Sequence, residues 1–277
     1  MVSEFDQTTT ARMRANERNW DARTPIHATS KFYDAPAEWW FAPFEWDDLG
    51  SLAGRDVVHL QCHLGTETIA FMRRGARTVV GLDFSGQAID HARHLADQQK
   101  VDIDYVRSDV YDSVAALGEA RFDIVYTGKG ALCYLPDLNR WASVIADLLR
   151  PGGLLYIVEF HPVLTSLGPK PQEPELLLCH DYLEGRGPLD HSSAYTYTDG
   201  PALPTDATEG YEWAHGLGEV VTALIKAGLT ITRLRETDQV PWPRWERMLR
   251  DDASGWWYLP PTDPKIPLLY ALSATKS

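Results

Sequence analysis

The stretch that decides the fold runs from residue 57 to residue 68 and reads VVHLQCHLGTET. Residues 57–60 are short and rich in β-branched side chains, which is typical of a buried parallel strand. After Gly65, apolar residues recur at helical spacing as far as Gly75, where a glycine suits a left-handed helix stop. A strand, a tight turn and a helix place free backbone N–H groups where open α/β sheets bind ligands. An ordinary connection in any α/β domain has the same form.

Two further strands are predicted to end in carboxylates. Residues 78–83 form an apolar run that ends at Asp83, and residues 103–106 lead to Asp109. An acidic residue roughly 20 residues past the first turn is placed to accept hydrogen bonds from ribose hydroxyls. A single aspartate is more often a loop residue or a helix cap, whereas two on neighbouring strand ends favour a nucleoside ligand.

Two later segments extend the pattern: residues 122–126 read as a fourth strand, and residues 148–157 read as a helix end, a Pro-Gly-Gly turn and a fifth strand. From about residue 57 to residue 160 the sequence resembles the class I S-adenosylmethionine-dependent methyltransferases. The resemblance implies an α/β fold with a seven-stranded, mostly parallel, doubly wound sheet whose last strand is antiparallel. It also implies S-adenosylmethionine as the methyl donor.

The resemblance implies a cofactor site at the ends of the first three strands. Asp83 would hold the ribose, Asp109 and Val110 would face the adenine, and the turn from Gln61 to Gly65 would pass under the methionine part. The predicted contacts in this region are Gln61, His63, Gly65, Asp83, Phe84, Asp109 and Val110.

The turn departs from the family pattern. The usual acidic residue and the first two glycines correspond here to His59, Gln61 and His63, and only Gly65 remains. We expect the side chains of Gln61 and His63 to contact the amino acid end of the cofactor; the alternative is that they block the usual backbone approach. The missing glycines also disfavour a dinucleotide fingerprint, which needs close backbone approach to a pyrophosphate.

Composition limits the class of partner. The chain has 277 residues, 44% of them hydrophobic, and a formal net charge of −13. Nucleic-acid binding needs clustered Lys and Arg, so a small-molecule acceptor is preferred. Three cysteines without paired spacing fit reduced thiols better than a disulfide framework. Because the N-terminus has no apolar signal core and no long apolar run follows, we expect a cytoplasmic protein without membrane contact.

Residues 1–50 are predicted to form an aromatic cap or lid on a methyltransferase domain at residues 51–277. Trp20, His27 and Tyr33 are the predicted substrate contacts within this cap, since a plain cap needs no such polar groups. Arg23 is predicted to pair with the cofactor carboxylate, a charge-assisted contact. A surface ion pair is the alternative for Arg23.

Two insertions, at about residues 162–212 and 239–265, are predicted to close over the substrate. Insertions of such length in a compact fold are usually functional. Residues 194–197 read as a strand, and Trp213 and Trp242 are further predicted substrate contacts. A magnesium ion near Asp181, Asp190 or the histidines stays open, because oxygen ligands have no diagnostic spacing here.

The predicted acid-base residues follow the fifth strand. His161 leaves the carboxyl edge of the sheet, where a neutral imidazole could remove a proton from a hydroxyl acceptor, with Glu159 orienting it. His215 beside Glu212 is the second candidate pair. In the alternative interpretation, these histidines cap nearby backbone.

Taken together, the sequence predicts methyl transfer to a small-molecule hydroxyl, with a sugar or another polar metabolite as acceptor. Transfer to nitrogen, sulfur or a carboxylate is the alternative within the family. A nucleotide-dependent oxidoreductase and a non-catalytic cofactor-binding module are the alternatives of other classes.

Overall fold

A computed structural model describes residues 5–168 and 175–277. Its main sheet has seven strands in the order β3-β2-β1-β4-β5-β12-β8. The strands are β1 (Asp56–Leu60), β2 (Thr78–Asp83), β3 (Asp104–Arg107), β4 (Phe122–Thr127), β5 (Leu149–Phe160), β6 (Leu189–Ser192), β7 (Glu209–Glu212), β8 (Leu229–Thr237), β9 (Gln239–Val240), β10 (Leu249–Arg250), β11 (Trp257–Tyr258) and β12 (Leu269–Lys276).

The α-helices are α1 (Gln7–Thr29), α2 (Pro43–Leu49), α3 (Thr66–Arg73), α4 (Gly86–Gln99), α5 (Ser113–Leu117), α6 (Leu138–Leu148), α7 (Pro162–Ser166) and α8 (Leu217–Lys226). Short 3-10 helices lie at Lys31–Tyr33, Ala37–Trp40, Val110–Asp112 and Leu132–Tyr134. Asp137 begins α6 by accepting a hydrogen bond from the backbone N–H of Arg140, and Ser85 begins α4 in the same way from Ala88.

The predicted sheet is confirmed. Strands β1 to β5 pair in parallel, and β12 runs antiparallel to both β5 and β8. Alternate residues of a strand face opposite sides, so Val58 and Val80 join a core with Trp141 of α6, whereas Val57 and Val79 join one with Phe71 of α3. Helices therefore cover both faces, and the carboxyl ends of the parallel strands meet at one edge.

The N-terminal helix α1 packs against α4 and β7. Asn16 joins α1 to β7, because its Nδ2 donates to the Tyr211 carbonyl and its Oδ1 accepts from the Tyr211 N–H, both at 2.8 Å. The first insertion is thus tied to the N-terminal segment over the strand ends. A domain boundary near residue 50 stays a prediction.

The strand predicted at residues 194–197 is wrong. The side chain of Ser193 accepts a hydrogen bond from the backbone N–H of Tyr195 and donates to the Tyr195 carbonyl, which bends the chain. The strands of this insertion are β6 and β7, paired antiparallel. The second insertion contains a three-stranded antiparallel sheet in the order β10-β11-β9.

Candidate active site

The turn after β1 keeps the backbone shape of a glycine-rich loop although Gly65 is the one glycine left in it. Gln61, His63 and Gly65 have φ values of 55°, 48° and 74°. The left-handed conformation costs a residue with a side chain about 1–2 kcal/mol, so Gln61 and His63 store strain at this position. Gln61 Nε2 donates to the Ala131 carbonyl at 2.8 Å, whereas its Oε1 is buried with no hydrogen-bond partner among the described residues.

Asp83 fixes this turn to the end of β2. Its side chain is 4% exposed, and its two oxygens accept hydrogen bonds from the backbone N–H groups of His63 and Ser85, each at 2.9 Å. Burial raises the pKa of Asp83 to about 6, although both hydrogen bonds oppose the shift. The predicted ribose carboxylate therefore also organises the turn beneath the predicted methionine site.

A pocket opens at the ends of β1, β2 and β3. Four predicted cofactor residues line it, namely Gln61, Phe84, Asp109 and Val110, together with Met13, Asn16, Ser108, Tyr111, Tyr134 and Leu135. Asp109 accepts a hydrogen bond from the Tyr111 N–H at 2.9 Å, and burial raises the pKa of its carboxyl group. The α1 residues of this wall were missed because α1 has no apolar stripe that marks a buried face.

Arg23 lies inside the protein. It is 7% exposed, its guanidinium carbon lies 5.3 Å from the centre of the Trp20 ring, and its Nε has no hydrogen-bond partner among the described residues. The alternative of a surface ion pair is therefore wrong. A buried cation without a hydrogen bond at Nε is costly unless an anion completes it.

The predicted substrate residues of α1 and the following turn form an aromatic enclosure with partners from elsewhere. Its members are Trp20, His27, Tyr33, His63, Tyr134 and Tyr197. Trp20 packs edge-on to His63 and Tyr134 with ring centres 5.0 and 5.5 Å apart. Burial lowers the pKa of His27 to about 3, and a 2.9 Å contact joins His27 Nδ1 to His63 Nε2.

The first insertion closes the aromatic enclosure. His27 Nε2 lies 2.5 Å from Thr196 Oγ1, and the hydroxyl groups of Tyr33 and Tyr197 lie 2.5 Å apart. Tyr197 is 55% exposed and marks the outer rim. The enclosure is therefore built from four separate parts of the chain, one of which is the turn after β1.

A methyltransferase domain family matches residues 57–153, the part of the chain that contains the turn, Asp83 and Asp109. These residues therefore form a methyltransferase domain of the class I type. The chain is 29% identical over 158 residues to a ubiquinone biosynthesis O-methyltransferase of Coxiella burnetii, which is 52% of this chain and 64% of the relative. The chain thus spans less than two thirds of the curated relatives that match it first.

Solved structures share the fold of this chain. An S-adenosylmethionine-dependent methyltransferase from Mesorhizobium loti superposes with a TM-score of 0.57 at 21% identity, over 88% of this chain and 100% of the other. One from Clostridium acetobutylicum gives a TM-score of 0.59 at 13% identity, over 91% and 97%. Within the described residues, no helix is long and apolar enough to cross a membrane.

His161 begins α7. Its Nδ1 accepts a hydrogen bond from the Val163 N–H at 3.1 Å, and its Nε2 lies 2.9 Å from Glu236. Burial lowers the pKa of His161 although the Glu236 carboxylate opposes the shift. Both ring nitrogens are engaged away from the pocket, as in the capping alternative.

Glu159 does not orient His161, so that expectation is wrong. Its carboxylate accepts hydrogen bonds from the backbone N–H groups of Gly130, Ala131 and Leu132 at 2.6, 2.9 and 3.0 Å, and from Phe160 at 2.6 Å. The carboxylate turns toward the loop after β4 because that loop carries consecutive unpaired N–H groups. Glu159 thereby shapes the wall that carries Tyr134.

The expected pairing of His215 with Glu212 is also wrong. His215 Nε2 donates to the Leu135 carbonyl at 2.8 Å. Glu212 instead accepts from the Tyr134 hydroxyl at 3.3 Å and lies 3.3 Å from His191 Nε2. Since Tyr134 belongs to the aromatic enclosure, Glu212 is near the site and His215 supports the loop behind it.

The predicted magnesium ligands are separate. Asp181 pairs with Arg186 at 2.7 Å, and Asp190 is exposed on β6. Among the described residues, the one group with metal-ligand spacing is Glu184, His215 and Glu219, whose ligand atoms lie within 4.8 Å of one another. Glu184 is exposed and Glu219 already accepts from the Gly216 N–H, so magnesium stays a prediction.

The two predicted substrate tryptophans of the insertions pack at the border of the site. Trp213 is 7% exposed, and its backbone N–H donates to the Cys133 carbonyl at 2.7 Å. Trp242 packs edge-on to Phe32 and Phe160, with ring centres 5.5 and 5.4 Å apart. Trp242 therefore joins the N-terminal cap to the end of β5.

Sequence reasoning missed one charged group at the tip of β4. Lys129 Nζ lies 3.4 Å from Glu67 and 3.6 Å from Glu45. Glu67 lies in the stretch quoted first, and Lys129 follows Gly128 directly after β4. The signal that was overlooked is a lysine between two glycines at a strand end, since a charge there must find a partner when the loop is buried.

Proposed function

We propose that this protein transfers the methyl group of S-adenosylmethionine to a hydroxyl group of a small molecule, a sugar or another polar metabolite. The observation that supports the donor most strongly is the pocket at the ends of β1, β2 and β3, where Asp109 lies beside the turn held by Asp83. Carboxylates at these strand ends suit ribose and adenine recognition.

Two buried polar groups without partners suit the amino acid end of the donor. Gln61 Oε1 is an acceptor and Arg23 is a cation, and neither Gln61 Oε1 nor Arg23 Nε has a hydrogen-bond partner among the described residues. In a ligand that carries an ammonium and a carboxylate, the ammonium would donate to Gln61 Oε1 and the carboxylate would pair with Arg23. When bound, S-adenosylmethionine supplies an activated methyl group, so the protein's main task is alignment in a dry site, worth about 7–11 kcal/mol.

The aromatic enclosure suits a small acceptor. Flat rings pack well against sugar or aromatic surfaces, and the tyrosine hydroxyl groups at its rim supply polar contacts. The similarity to a ubiquinone biosynthesis O-methyltransferase supports oxygen as the methylated atom. The net charge of −13 disfavours a nucleic-acid acceptor.

A labelled transfer assay tests the function. The protein is incubated with methyl-labelled S-adenosylmethionine and a soluble metabolite extract, and labelled products are identified by mass spectrometry. We expect a methyl ether. A labelled amine, thioether or ester would show that the acceptor atom is nitrogen, sulfur or a carboxylate oxygen instead. Cofactor binding without transfer would support a non-catalytic module. Thermal stabilisation by a nicotinamide cofactor but not by S-adenosylmethionine would overturn the proposal.

A further inference from the structure

The charged group at the tip of β4 joins three side chains of different accessibility. The side chains of Glu45, Lys129 and Glu67 are 0%, 4% and 24% exposed. Glu45 is fully engaged, because it accepts from the Ala42 N–H at 2.8 Å and from the Tyr126 hydroxyl at 3.1 Å. Burial opposes the charge on Lys129, but the two carboxylates raise its pKa above the ordinary value. Glu67 is thus the member that a ligand can reach.

The Glu67 carboxylate lies beside the tip of β4. A Cβ built on Gly128, directly after β4, would lie 3.9 Å from Glu67 Oε2. Burial, the neighbouring Tyr197 and the charge of Glu67 together raise the pKa of Tyr33. Glu67 therefore lies beside the tip of β4, and its charge acts on the Tyr33–Tyr197 pair that closes the aromatic enclosure.

The nearby histidines are poor proton acceptors. Burial lowers the pKa of His27 and of His59 to about 3, so each binds a proton weakly at neutral pH. His27 is held between His63 and Thr196, and His59 Nδ1 lies 2.9 Å from Thr68 Oγ1. A general base also needs a free lone pair that the acceptor hydroxyl can reach.

We infer that Glu67 accepts the proton of the acceptor hydroxyl and that Lys129 positions the Glu67 carboxylate. The inference rests on the proposed function and names its base. In the step, the acceptor O–H bond breaks and its proton passes to a Glu67 oxygen. The acceptor oxygen forms the new C–O bond, and the C–S bonding pair stays on the donor sulfur, which becomes a neutral thioether. Glu67 then releases the proton to solvent through its exposed side.

Lys129 acts by holding the Glu67 carboxylate in position. Its Nζ lies between Glu67 and the fully buried Glu45, so the pair anchors Glu67 to α2. Without this cation, the Glu67 side chain would be free to leave the position beside Gly128. Removing Lys129 should therefore lower turnover less than removing the Glu67 carboxylate, and an arginine should restore part of it.

The test measures Glu67→Gln, Glu67→Asp, Lys129→Met and Lys129→Arg on the hydroxyl compound that wild type labels in the metabolite extract. Glu67→Gln should lower kcat about 10²- to 10⁴-fold. Its acceptor KM, its Kd for S-adenosylhomocysteine by calorimetry and its Tm should stay close to wild type. Glu67→Asp should retain more turnover, and Lys129→Arg should exceed Lys129→Met in kcat at equal KM. Glu119→Gln, at an exposed turn, is the matched control.

The contrary outcomes separate the two claims. Wild-type transfer with Glu67→Gln within threefold in kcat overturns the base and leaves the proposed function standing. A Glu67→Gln loss that appears equally in the Kd for S-adenosylhomocysteine places Glu67 in the donor site and also overturns the base. If Glu67→Gln does not fold, the remaining variants decide. A wild-type kcat in Glu67→Asp, together with Lys129 variants that have no effect, would also overturn the base. Absence of wild-type transfer to any hydroxyl compound overturns both claims.

Discussion

The ends of β2 and β5 carry comparable polar residues that do different work. Asp83 at the end of β2 holds the turn beneath the predicted donor site. His161 just beyond β5 caps α7 and contacts Glu236. The sequence motivates a functional role equally well at both places. The difference is that Asp83 has its partners within 20 positions of the chain, in its own turn and in the turn after the neighbouring β1, whereas His161 finds Glu236 on β8, 75 positions along the chain.

The largest expected effect on donor binding concerns Arg23. Because its buried guanidinium has no hydrogen bond at Nε, Arg23→Met should weaken S-adenosylhomocysteine binding by about 1.5–3 kcal/mol, roughly 10- to 150-fold. Binding of 5′-methylthioadenosine, which lacks the amino acid end, should change little. Calorimetry measures both affinities, with Arg18→Met on the exposed side of α1 as control. Equal losses for both ligands would remove Arg23 from the amino acid end.

A medium effect is the pH dependence of donor binding. The pKa of Asp83 is about 6 in the folded protein, so the carboxylate loses its charge as the pH falls through this value. If ionised Asp83 holds the ribose, the Kd of the donor should be about tenfold larger at pH 5 than at pH 8. Asp83→Asn should bind more weakly and show a flat profile. A wild-type profile that matches the variant's would show that Asp83 only holds the turn.

The smallest effect belongs to His161. As a helix cap, His161→Ala should lower the free energy of unfolding by about 0.5–2 kcal/mol. Turnover and donor affinity should stay within threefold of wild type. Urea denaturation and kinetics measure these quantities, and Asp137→Ala, which removes the cap of α6, should behave alike. A loss of turnover above a hundredfold with unchanged stability would restore His161 as the base.

The parts of the site that follow from strand ends could be predicted from sequence. In a parallel sheet, the carboxyl ends of neighbouring strands meet at one edge whatever the loops do, so Phe84, Asp109 and Val110 line one pocket. The role of the turn after β1 could also be predicted from sequence. The turn was predicted to pass under the methionine part although two of the usual glycines are missing, and Gln61 and His63 adopt the glycine conformation.

The acid-base residues could not be predicted, because their roles depend on contacts made across the fold. Glu159 binds the loop at 130–132, and His215 binds the Leu135 carbonyl. No local pattern indicates which backbone groups stay unpaired after folding. Lys129 and Glu67 lie 62 positions apart and meet only when β1 and β4 pair.

A crystal structure of the protein with S-adenosylhomocysteine tests the central claim most directly. We expect the ribose hydroxyls to bind Asp83 and the adenine to lie between Phe84, Asp109 and Val110. The amino acid end should lie between Gln61 and Arg23. The sulfur should then face the space between Gly128 and Tyr33. Density for the ligand outside the ends of β1 to β3, or with its adenine and amino acid ends exchanged, would contradict the account.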